Sequence, residues 1–519
     1  MKGAVAAGHP LTAAAGARVL AEGGNAVDAC VAAAFAAWVA ESPLTGPGAG
    51  GFALVLPADG RSARLADFFV AVPGLGLPAG RRAEMHAVDV GFGDSETTQV
   101  FRIGEPSCAV PGAAAGLEAV HRAYGRLPWR ELLAPAAELA RTGVELTREQ
   151  AHLHAILDLI LRHQPEGARL YSGPDGLRLQ PGDTLRMPDL AATLDALAAD
   201  GAAAIYRGDV ARAIAETVRG GGGHLTLDDL DRYRVVWRRP VRVPYLGHEV
   251  ISNPPPSSGG ILIAYGLSLL ERMPQGPPGS AAAISALALV LREQARVRDA
   301  SFTSALQRGG LARRLLSPEG IRTGLAALRA EPVLEPAPPG GTTHVSVVDG
   351  DGNAASLTSS TGSGSGVLVP GTGIQLNNML GEYDLAAGRS APGVRLTSMM
   401  APTVVTREGR PRLVVGSAGS IRLRGAITQV IANVVAHGLG VAEAIDRPRV
   451  HAEGAHLHCE GGIAAAELDR LEELGFDVVR WRRRNLYFGG TNAVEVRADG
   501  SLAAAGDARR GGAGLVVGS

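Results

Sequence analysis

The sequence predicts a protein of the α/β class. Near its start it predicts a helix over 11–22, a second helix over 25–41, a glycine-rich loop and a strand over 52–56. Beyond residue 341, short apolar runs alternate with turn-forming pairs such as Asp-Gly, which is typical of hairpins. Helices and strands that share one chain in this way favour an α/β fold.

The two N-terminal helices have clear boundary signals. Gly23 and Gly24 end the first helix, and Asn25 is a predicted N-cap for the second, with Asp28 in its first turn. The second helix is apolar on nearly every side, so it is predicted to be buried.

The rest of the chain divides at a linker over 331–341, whose sequence EPVLEPAPPGG has no regular period. Before it, the region 113–206 is predicted to be helical and rich in loops. The segments predicted after this region are two strands around Gly247 within 241–252 and helices over 261–270 and 281–300. Beyond the linker we predict hairpins over 343–358, 403–416 and 492–505, with helices over 421–437 and 464–474.

The composition excludes several classes of protein. Hydrophobic residues make up 46% and charged residues 19% of the chain, which is globular rather than disordered. The net charge of −1 gives no general attraction to nucleic acid or to an anionic membrane, so neither is predicted as a partner. Three distant cysteines, Cys30, Cys108 and Cys459, form no metal pattern and no disulfide framework.

No signal peptide is recognised near Met1, and the longest apolar stretch, 29–40, is too short to span a bilayer. We therefore expect a cytoplasmic protein.

Thr342 follows the linker and begins a strand that reads as buried. If the chain breaks before it, Thr342 gains a free α-amine with a pKa of about 7.7–8.0, which can act as the base for its own hydroxyl. Gly341 suits such a break because it crowds the scissile carbonyl least. Taken locally, however, Thr342 and Thr343 also fit an ordinary strand start, since threonine favours β structure.

Several motifs in order along the chain resemble the γ-glutamyltranspeptidase family of N-terminal-nucleophile hydrolases. The resemblance covers nearly the whole chain and is carried by GHPLTAAAGARVLAEGGNAVDACVAAAFA, ESPLTGPGAGGFALV, NPPPSSGGI, TTHVSVVDGDGNAAS, PGTGIQLNNMLGE, TSMMAPTVV, VVGSAGS and NLYFGGTNAV. It implies a four-layer αββα sandwich and a proenzyme that cuts itself between Gly341 and Thr342. Segments 1–341 and 342–519 would then remain associated as one interleaved domain.

The resemblance also implies roles for single residues. Thr342 would be the nucleophile of an acyl-enzyme mechanism, Thr343 would help to position the cleavage, and Ser360 would orient the amine of the nucleophile. Gly419 and Ser420, in a strand-to-helix turn, would supply the donors for the oxyanion. Members of the family that the chain resembles often have two glycines in that turn, so Ser420 is a small departure from the family pattern.

For substrate binding, the resemblance implies roles for Asn378, Glu382, Thr397 and Ser398. The sequence departs from the pattern of γ-glutamyl enzymes at two positions that bear on the acyl group. Those enzymes typically carry an arginine where this chain has Phe69 and an asparagine where it has Gly362. A bidentate arginine is a strong carboxylate anchor, so its replacement by an aromatic ring argues for a different or more apolar acyl group. Arg395 and Arg422 are candidates to compensate.

Other signals are weaker. The glycine-rich loop over 46–51 lacks the Lys-Ser/Thr ending and the strand-to-helix context of a nucleotide loop. His344 is interpreted as a packed strand residue, and His456, His458 and Cys459 lie too close together on one strand to predict zinc. Neither a metal nor an organic cofactor is predicted.

We therefore predict a self-processing hydrolase or acyltransferase that cleaves a γ-glutamyl or related small-molecule amide. Two alternatives stay open. One is a specialised natural-product hydrolase of the same family, acting on an amide or a carbon–carbon bond, and the other is an unprocessed binding protein without catalysis.

Overall fold

The structure is a computed structural model that describes residues 2–78, 83–91, 98–299, 301–330, 341–382 and 390–518. The linker predicted over 331–341 therefore lies outside the described residues except for its last glycine. The strands are β1 Gly3–Ala7, β2 Gly50–Leu56, β3 Arg64–Phe68, β4 His86–Gly91, β5 Thr98–Ile103, β6 Val144–Glu145, β7 Thr184–Leu185, β8 Val236–Arg238, β9 Val241–Tyr245, β10 His248–Ser252, β11 Gly341–Asp349, β12 Ala354–Gly362, β13 Leu368–Val369, β14 Ile374–Gln375, β15 Thr403–Arg407, β16 Arg410–Ala418, β17 Val450–Glu453, β18 His456–Cys459, β19 Asp477–Arg480, β20 Gly490–Val496, β21 Leu502–Ala505 and β22 Ala513–Val517.

The helices are α1 Pro10–Ala21, α2 Ala26–Ala40, α3 Ala113–Tyr124, α4 Trp129–Thr142, α5 Arg148–Ile156, α6 Asp158–Leu161, α7 Pro165–Leu170, α8 Pro188–Asp200, α9 Ala203–Tyr206, α10 Gly208–Gly220, α11 Leu227–Asp231, α12 Gly259–Leu270, α13 Ala281–Arg296, α14 Phe302–Arg308, α15 Leu311–Leu315, α16 Pro318–Ala327, α17 Arg422–Val435, α18 Val441–Asp446 and α19 Ala465–Glu473. Asn25 caps α2 as predicted, in a capping box with Asp28.

Two sheets stack face to face between two layers of helices. One sheet has the strand order β22-β1-β11-β12-β2-β3-β8, and the other has the order β21-β20-β16-β15-β10-β9. Strands β11 and β12 pack on β16, while α1 and α2 cover the outer face of the first sheet and α12 and α17 cover the outer face of the second. This arrangement confirms the predicted αββα sandwich.

The alternation of side chains explains the layering. On β16, Leu413 and Val415 point to the helices of the second face, while Val414 points into the space between the sheets. On β11, Val345 and Val347 face the first helix layer and Val348 faces the other sheet. Because successive residues of a strand point to opposite faces, each central strand contributes to two apolar layers.

Segments from both sides of residue 341 are interleaved. The first sheet combines β1, β2, β3 and β8 with β11, β12 and β22, so neither segment holds a complete sheet without the other. In the intact chain the predicted cleavage point therefore lies within one sandwich. Where the chain is cut stays a prediction.

Candidate active site around Thr342

Thr342 is the second residue of the central strand β11 and is 4% exposed. The pairing of β11 with β12 is irregular at this point, because Gly341 lies opposite Gly362 while Thr343 lies opposite Ser359. Two residues of β12, beginning with Ser360, therefore face the single residue Thr342. This is a β-bulge, and such bulges re-aim side chains near functional sites.

The bulge brings Ser360 to the peptide group that precedes Thr342. The Ser360 hydroxyl donates a hydrogen bond to the carbonyl oxygen of Gly341. The same hydroxyl oxygen accepts from the Thr342 hydroxyl at 3.3 Å and from the Gly362 N–H at 2.8 Å. Ser360 thus contacts both the predicted nucleophile and the carbonyl that the nucleophile would attack during self-cleavage.

The predicted oxyanion turn joins β16 to α17. Gly419 has a φ of 121° and Ser420 a φ of 55°, so both residues adopt left-handed backbone conformations. Such a conformation is uncommon for serine and is concentrated at functional sites. The turn leads directly into α17, whose N-terminal end carries the positive end of the helix dipole.

A small pocket lies beside Thr342, with a volume of about 40 Å³. It brings together six of the residues predicted for the site, and apolar side chains fill most of the remaining wall. Its lining residues are Phe69, Thr342, Ser360, Gly362, Met379, Glu382, Ser398, Met399, Met400, Ser420 and Leu423. The methionines and Leu423 are lining residues that the sequence reasoning missed, although Met399 and Met400 belong to the motif TSMMAPTVV.

Three of the residues predicted for catalysis or substrate binding are not among those that line the pocket: Gly419, Asn378 and Thr397. Gly419 directly precedes the lining residue Ser420. Asn378 is 1% exposed, and its side chain is engaged with Ser363, accepting from the backbone N–H at 2.9 Å and donating to the hydroxyl at 2.7 Å. In the intact chain Asn378 therefore fixes the loop after β12 instead of facing the pocket.

The departure at Gly362 has a steric reason. Gly362 has a φ of 74°, and a Cβ atom added there would lie 2.1 Å from Oδ1 of Asn378. An asparagine at this position would therefore collide with Asn378. The glycine and the buried asparagine fit each other.

Phe69 forms part of the wall and is fully buried. Its ring stacks on Phe52, with the ring centroids 5.4 Å apart and the planes inclined by 19°. Arg395, proposed above as a substitute anchor, instead pairs with Asp67 at 3.3 Å. The second candidate, Arg422, lies over the ring of Tyr487 at 4.2 Å.

Neither arginine lines the pocket, and Glu382 is the sole Asp, Glu, Lys, Arg or His among the described residues that do. Among the residues that the structure describes, the pocket therefore offers a carboxylate and several apolar groups, but no cation that would anchor a substrate carboxylate.

His344 is a packed strand residue, as predicted. It is fully buried, its ring nitrogens lie 2.8 Å from the Thr358 hydroxyl and 2.9 Å from the Ser346 hydroxyl, and burial lowers its pKa to about 3. Gly416 packs against this ring, because an added Cβ would come within 2.2 Å of it. His344 is therefore neutral and holds β11 against β16.

The other histidines singled out in the sequence have ordinary partners. His456 pairs with Asp477 at 2.7 Å, and Nδ1 of His458 accepts from the Trp481 indole at 3.2 Å. Within the described ranges, three or more His, Cys, Asp or Glu side chains nowhere group in a way that could hold a metal ion. The three cysteines are buried free thiols. Among the helices that the structure describes, none combines the length and the apolar character needed to cross a membrane.

The sandwich, the threonine at a central strand end and the facing serine define a hydrolase of the N-terminal-nucleophile class. A sequence model of the gamma-glutamyltranspeptidase family matches residues 12–517. The protein belongs to this family, whose members act on small amide substrates and are processed into two subunits.

Both acylases and glutathione hydrolases are similar to the chain. The "Acylase ACY 1 proenzyme" of Pseudomonas sp. (strain V22) is 34% identical over 533 residues, covering 97% of this chain and 91% of the relative. The "Glutathione hydrolase proenzyme" of Escherichia coli (strain K12) is 31% identical over 523 residues, covering 95% of this chain and 88% of the relative. The crystal structure of cephalosporin acylase from Bacillus halodurans matches with a TM-score of 0.85 at 25% identity, covering 99% of this chain and 95% of that one.

Proposed function

We propose that the protein cuts itself between Gly341 and Thr342 and that Thr342 then serves as the nucleophile of an amide hydrolase. The contact of Ser360 with both the Gly341 carbonyl and the Thr342 hydroxyl carries this proposal. In the intact chain, the Thr342 hydroxyl oxygen attacks the Gly341 carbonyl carbon while Ser360 donates to the carbonyl oxygen, where negative charge develops.

The carbon–nitrogen bond then breaks, and the nitrogen of Thr342 takes the proton from the hydroxyl. The result is an ester between Gly341 and the Thr342 side chain. Water hydrolyses this ester, leaving a carboxylate on Gly341 and a free α-amine on Thr342. Segments 1–341 and 342–519 are expected to remain associated, because they share both sheets.

During turnover the new α-amine acts as the base. With a pKa of about 7.7–8.0 it is partly neutral near pH 7.5, so it can take the proton from its own hydroxyl as the oxygen attacks an amide carbonyl. Backbone N–H groups of the turn at Gly419 and Ser420 stabilise the oxyanion. Collapse releases the amine product, and water then hydrolyses the acyl-enzyme.

For the substrate, we propose an amide with a largely apolar acyl group. The carrying observation is the wall formed by Phe69, Met379, Met399 and Met400, together with the lack of a cation among the described lining residues. Methionine side chains adapt their shape, so a pocket of about 40 Å³ can widen around an acyl chain. The similarity to acylases points in the same direction.

A γ-glutamyl substrate is the second candidate, favoured by Glu382 and Ser398 in the same pocket. The Glu382 carboxylate would accept hydrogen bonds from the α-ammonium group of a glutamyl moiety, as the family resemblance implies. This candidate still lacks a described partner for the α-carboxylate.

Two measurements test the proposal. Denaturing mass spectrometry should give two fragments, the smaller beginning at Thr342, and Thr342→Ala should give one intact chain. The cleaved protein is then assayed with hexanoyl-p-nitroanilide and γ-glutamyl-p-nitroanilide. Faster release from the hexanoyl amide is expected, whereas release from the γ-glutamyl amide alone would refute the apolar assignment. An intact wild-type chain would refute self-cleavage.

A further inference from the structure

Glu41 lies behind the nucleophile strand, on the side of β11 opposite the pocket, and has no role in the chemistry described so far. It is the residue that follows α2, and it is 4% exposed. Its Oε2 accepts a hydrogen bond from the Thr343 hydroxyl at 2.5 Å, and its Oε1 accepts from the Thr12 hydroxyl at 2.8 Å. One carboxylate thus ties both N-terminal helices to the residue next to the nucleophile.

This contact is closely fitted. A Cβ atom added at Gly8 would lie 2.3 Å from Oε2 of Glu41 and 3.0 Å from the Thr343 hydroxyl, so the backbone passes close to the pair. Successive strand residues point to opposite faces. When the Thr343 side chain is fixed toward α2, the Thr342 side chain is directed toward Ser360 and the Gly341 carbonyl.

We propose that Glu41 is a positioning residue for self-cleavage, which acts through Thr343 to orient the Thr342 hydroxyl and does so in its ionised form. The ionised carboxylate accepts from both threonine hydroxyls at once. In the neutral acid one carboxyl oxygen carries a proton and acts as a donor, which weakens the hydrogen bond from one of the two threonine hydroxyls. The inference rests on the proposed role of Thr342.

The surroundings allow Glu41 to change its charge near neutral pH. Burial raises its pKa to about 7, although the hydroxyls of Thr343 and Thr12 and the cation of Arg510 act in the opposite direction. A cavity of about 240 Å³, large enough for several water molecules, adjoins it. The titratable and charged groups that share this cavity are His9, Arg148, Glu149, His152, His154, Arg509 and Arg510.

The chain offers a matched pair of variants. Thr343→Val and Thr12→Val each remove one hydroxyl from the same carboxylate and keep the side-chain shape. A purely structural role for Glu41 predicts similar effects of the two variants. Positioning through Thr343 predicts that Thr343→Val slows cleavage at least tenfold at pH 8 and that Thr12→Val changes the rate less than threefold.

The experiment is a cell-free synthesis pulse, followed by a chase at pH 5.5 to 8.5 with cleavage measured by intact mass. For Glu41→Gln, which imitates the neutral acid, the ratio of wild-type to variant rate should be near one at pH 5.5. It should rise to about tenfold by pH 8.5, with its midpoint near 7. The double variant with Thr343→Val should be no slower than the slower single variant.

A rate ratio that does not change with pH, or equal effects of Thr12→Val and Thr343→Val, would overturn the proposal. Thermal unfolding of each variant identifies a folding defect. If Glu41→Gln has such a defect, the pH dependence of the ratio of wild-type to variant cleavage rate still decides whether Glu41 positions Thr342. Thr342→Ala separates the two levels of inference. If that variant is still cut after Gly341, the proposed nucleophile is wrong, whatever Glu41 does.

Discussion

Replacing Glu41 by glutamine should remove a pH-dependent loss of stability. In the folded protein the pKa of Glu41 is about 7, whereas the ordinary pKa of a glutamic acid is 4.5. Folded Glu41 therefore keeps its proton at pH values where the unfolded chain has lost it. Each pKa unit corresponds to about 1.4 kcal/mol, so ionising Glu41 in the folded state costs about 3 kcal/mol in total. The contribution of protonated Glu41 to the free energy of unfolding is therefore fully present below pH 4.5, declines as the pH rises, and is lost above pH 7.

The assay is urea unfolding of Thr342→Ala and of Glu41→Gln in the same background, which keeps both proteins as single chains. Between pH 5 and pH 8, the free energy of unfolding of the protein that retains Glu41 should fall by about 2–3 kcal/mol relative to that of the Glu41→Gln variant. The free energies of unfolding of the two proteins are subtracted at each pH because buried histidines, which both proteins contain, make stability rise with pH. Their pKa values are lowered by burial, so their contribution grows with pH up to about 6.5; they are His9, His154, His344, His451 and His458.

A difference that stays constant between pH 5 and pH 8 would show that Glu41 ionises at or below its ordinary pKa in the folded protein, so that Arg510 and the two hydroxyls offset the effect of burial. The charge-dependent part of the positioning argument would then fail.

Three further substitutions test the architecture around the site. Gly416→Ala places a methyl group within 2.2 Å of the His344 ring and should lower the free energy of unfolding by about 1–3 kcal/mol, measured by urea unfolding. Glu460→Gln removes the charge that binds the fully buried guanidinium of Arg509 at 2.5 Å and should cost about 3–5 kcal/mol in the same assay. Phe69→Leu should raise KM for a hexanoyl amide severalfold with a smaller change in kcat, because the ring lines the pocket.

The two stability variants each have a control. Gly220→Ala adds a methyl group into open space and should leave stability nearly unchanged. Glu472→Gln breaks an ion pair with Arg480 in which both side chains are well exposed, and should have little effect. If a control costs as much as its partner variant, the packing or burial argument for that site is wrong. An unchanged KM for Phe69→Leu would mean that the acyl group does not reach that wall.

The sequence allowed much of the local structure to be predicted. The glycine pair at 23–24 and Asn25 predicted the boundary between α1 and α2, and the Asp-Gly turns predicted the pairing of β11 with β12 and of β20 with β21. These features depend on neighbouring residues. The helix predicted over 281–300 ends at Arg296, because helix ends carry weaker signals than helix interiors.

The candidate site was predicted less evenly. Phe69, Glu382 and Ser398, predicted to bind the substrate, lie in the wall of the pocket, whereas the Asn378 side chain turns to Ser363. A motif identifies a residue but not the direction of its side chain. Here the direction depends on Gly362, because its lack of a Cβ atom leaves room for the Asn378 side chain.

The sequence by itself determined the class of protein, the threonine at the start of a buried strand and the two departures at Phe69 and Gly362. These follow from residue type, spacing and local conformational preference. The tertiary structure decided the bulge that brings Ser360 to the Gly341 carbonyl, the absence of a cation among the described lining residues and the contact between Glu41 and Thr343. Glu41 and Thr343 are separated by 302 residues, so only the packing of α2 against β11 brings them together.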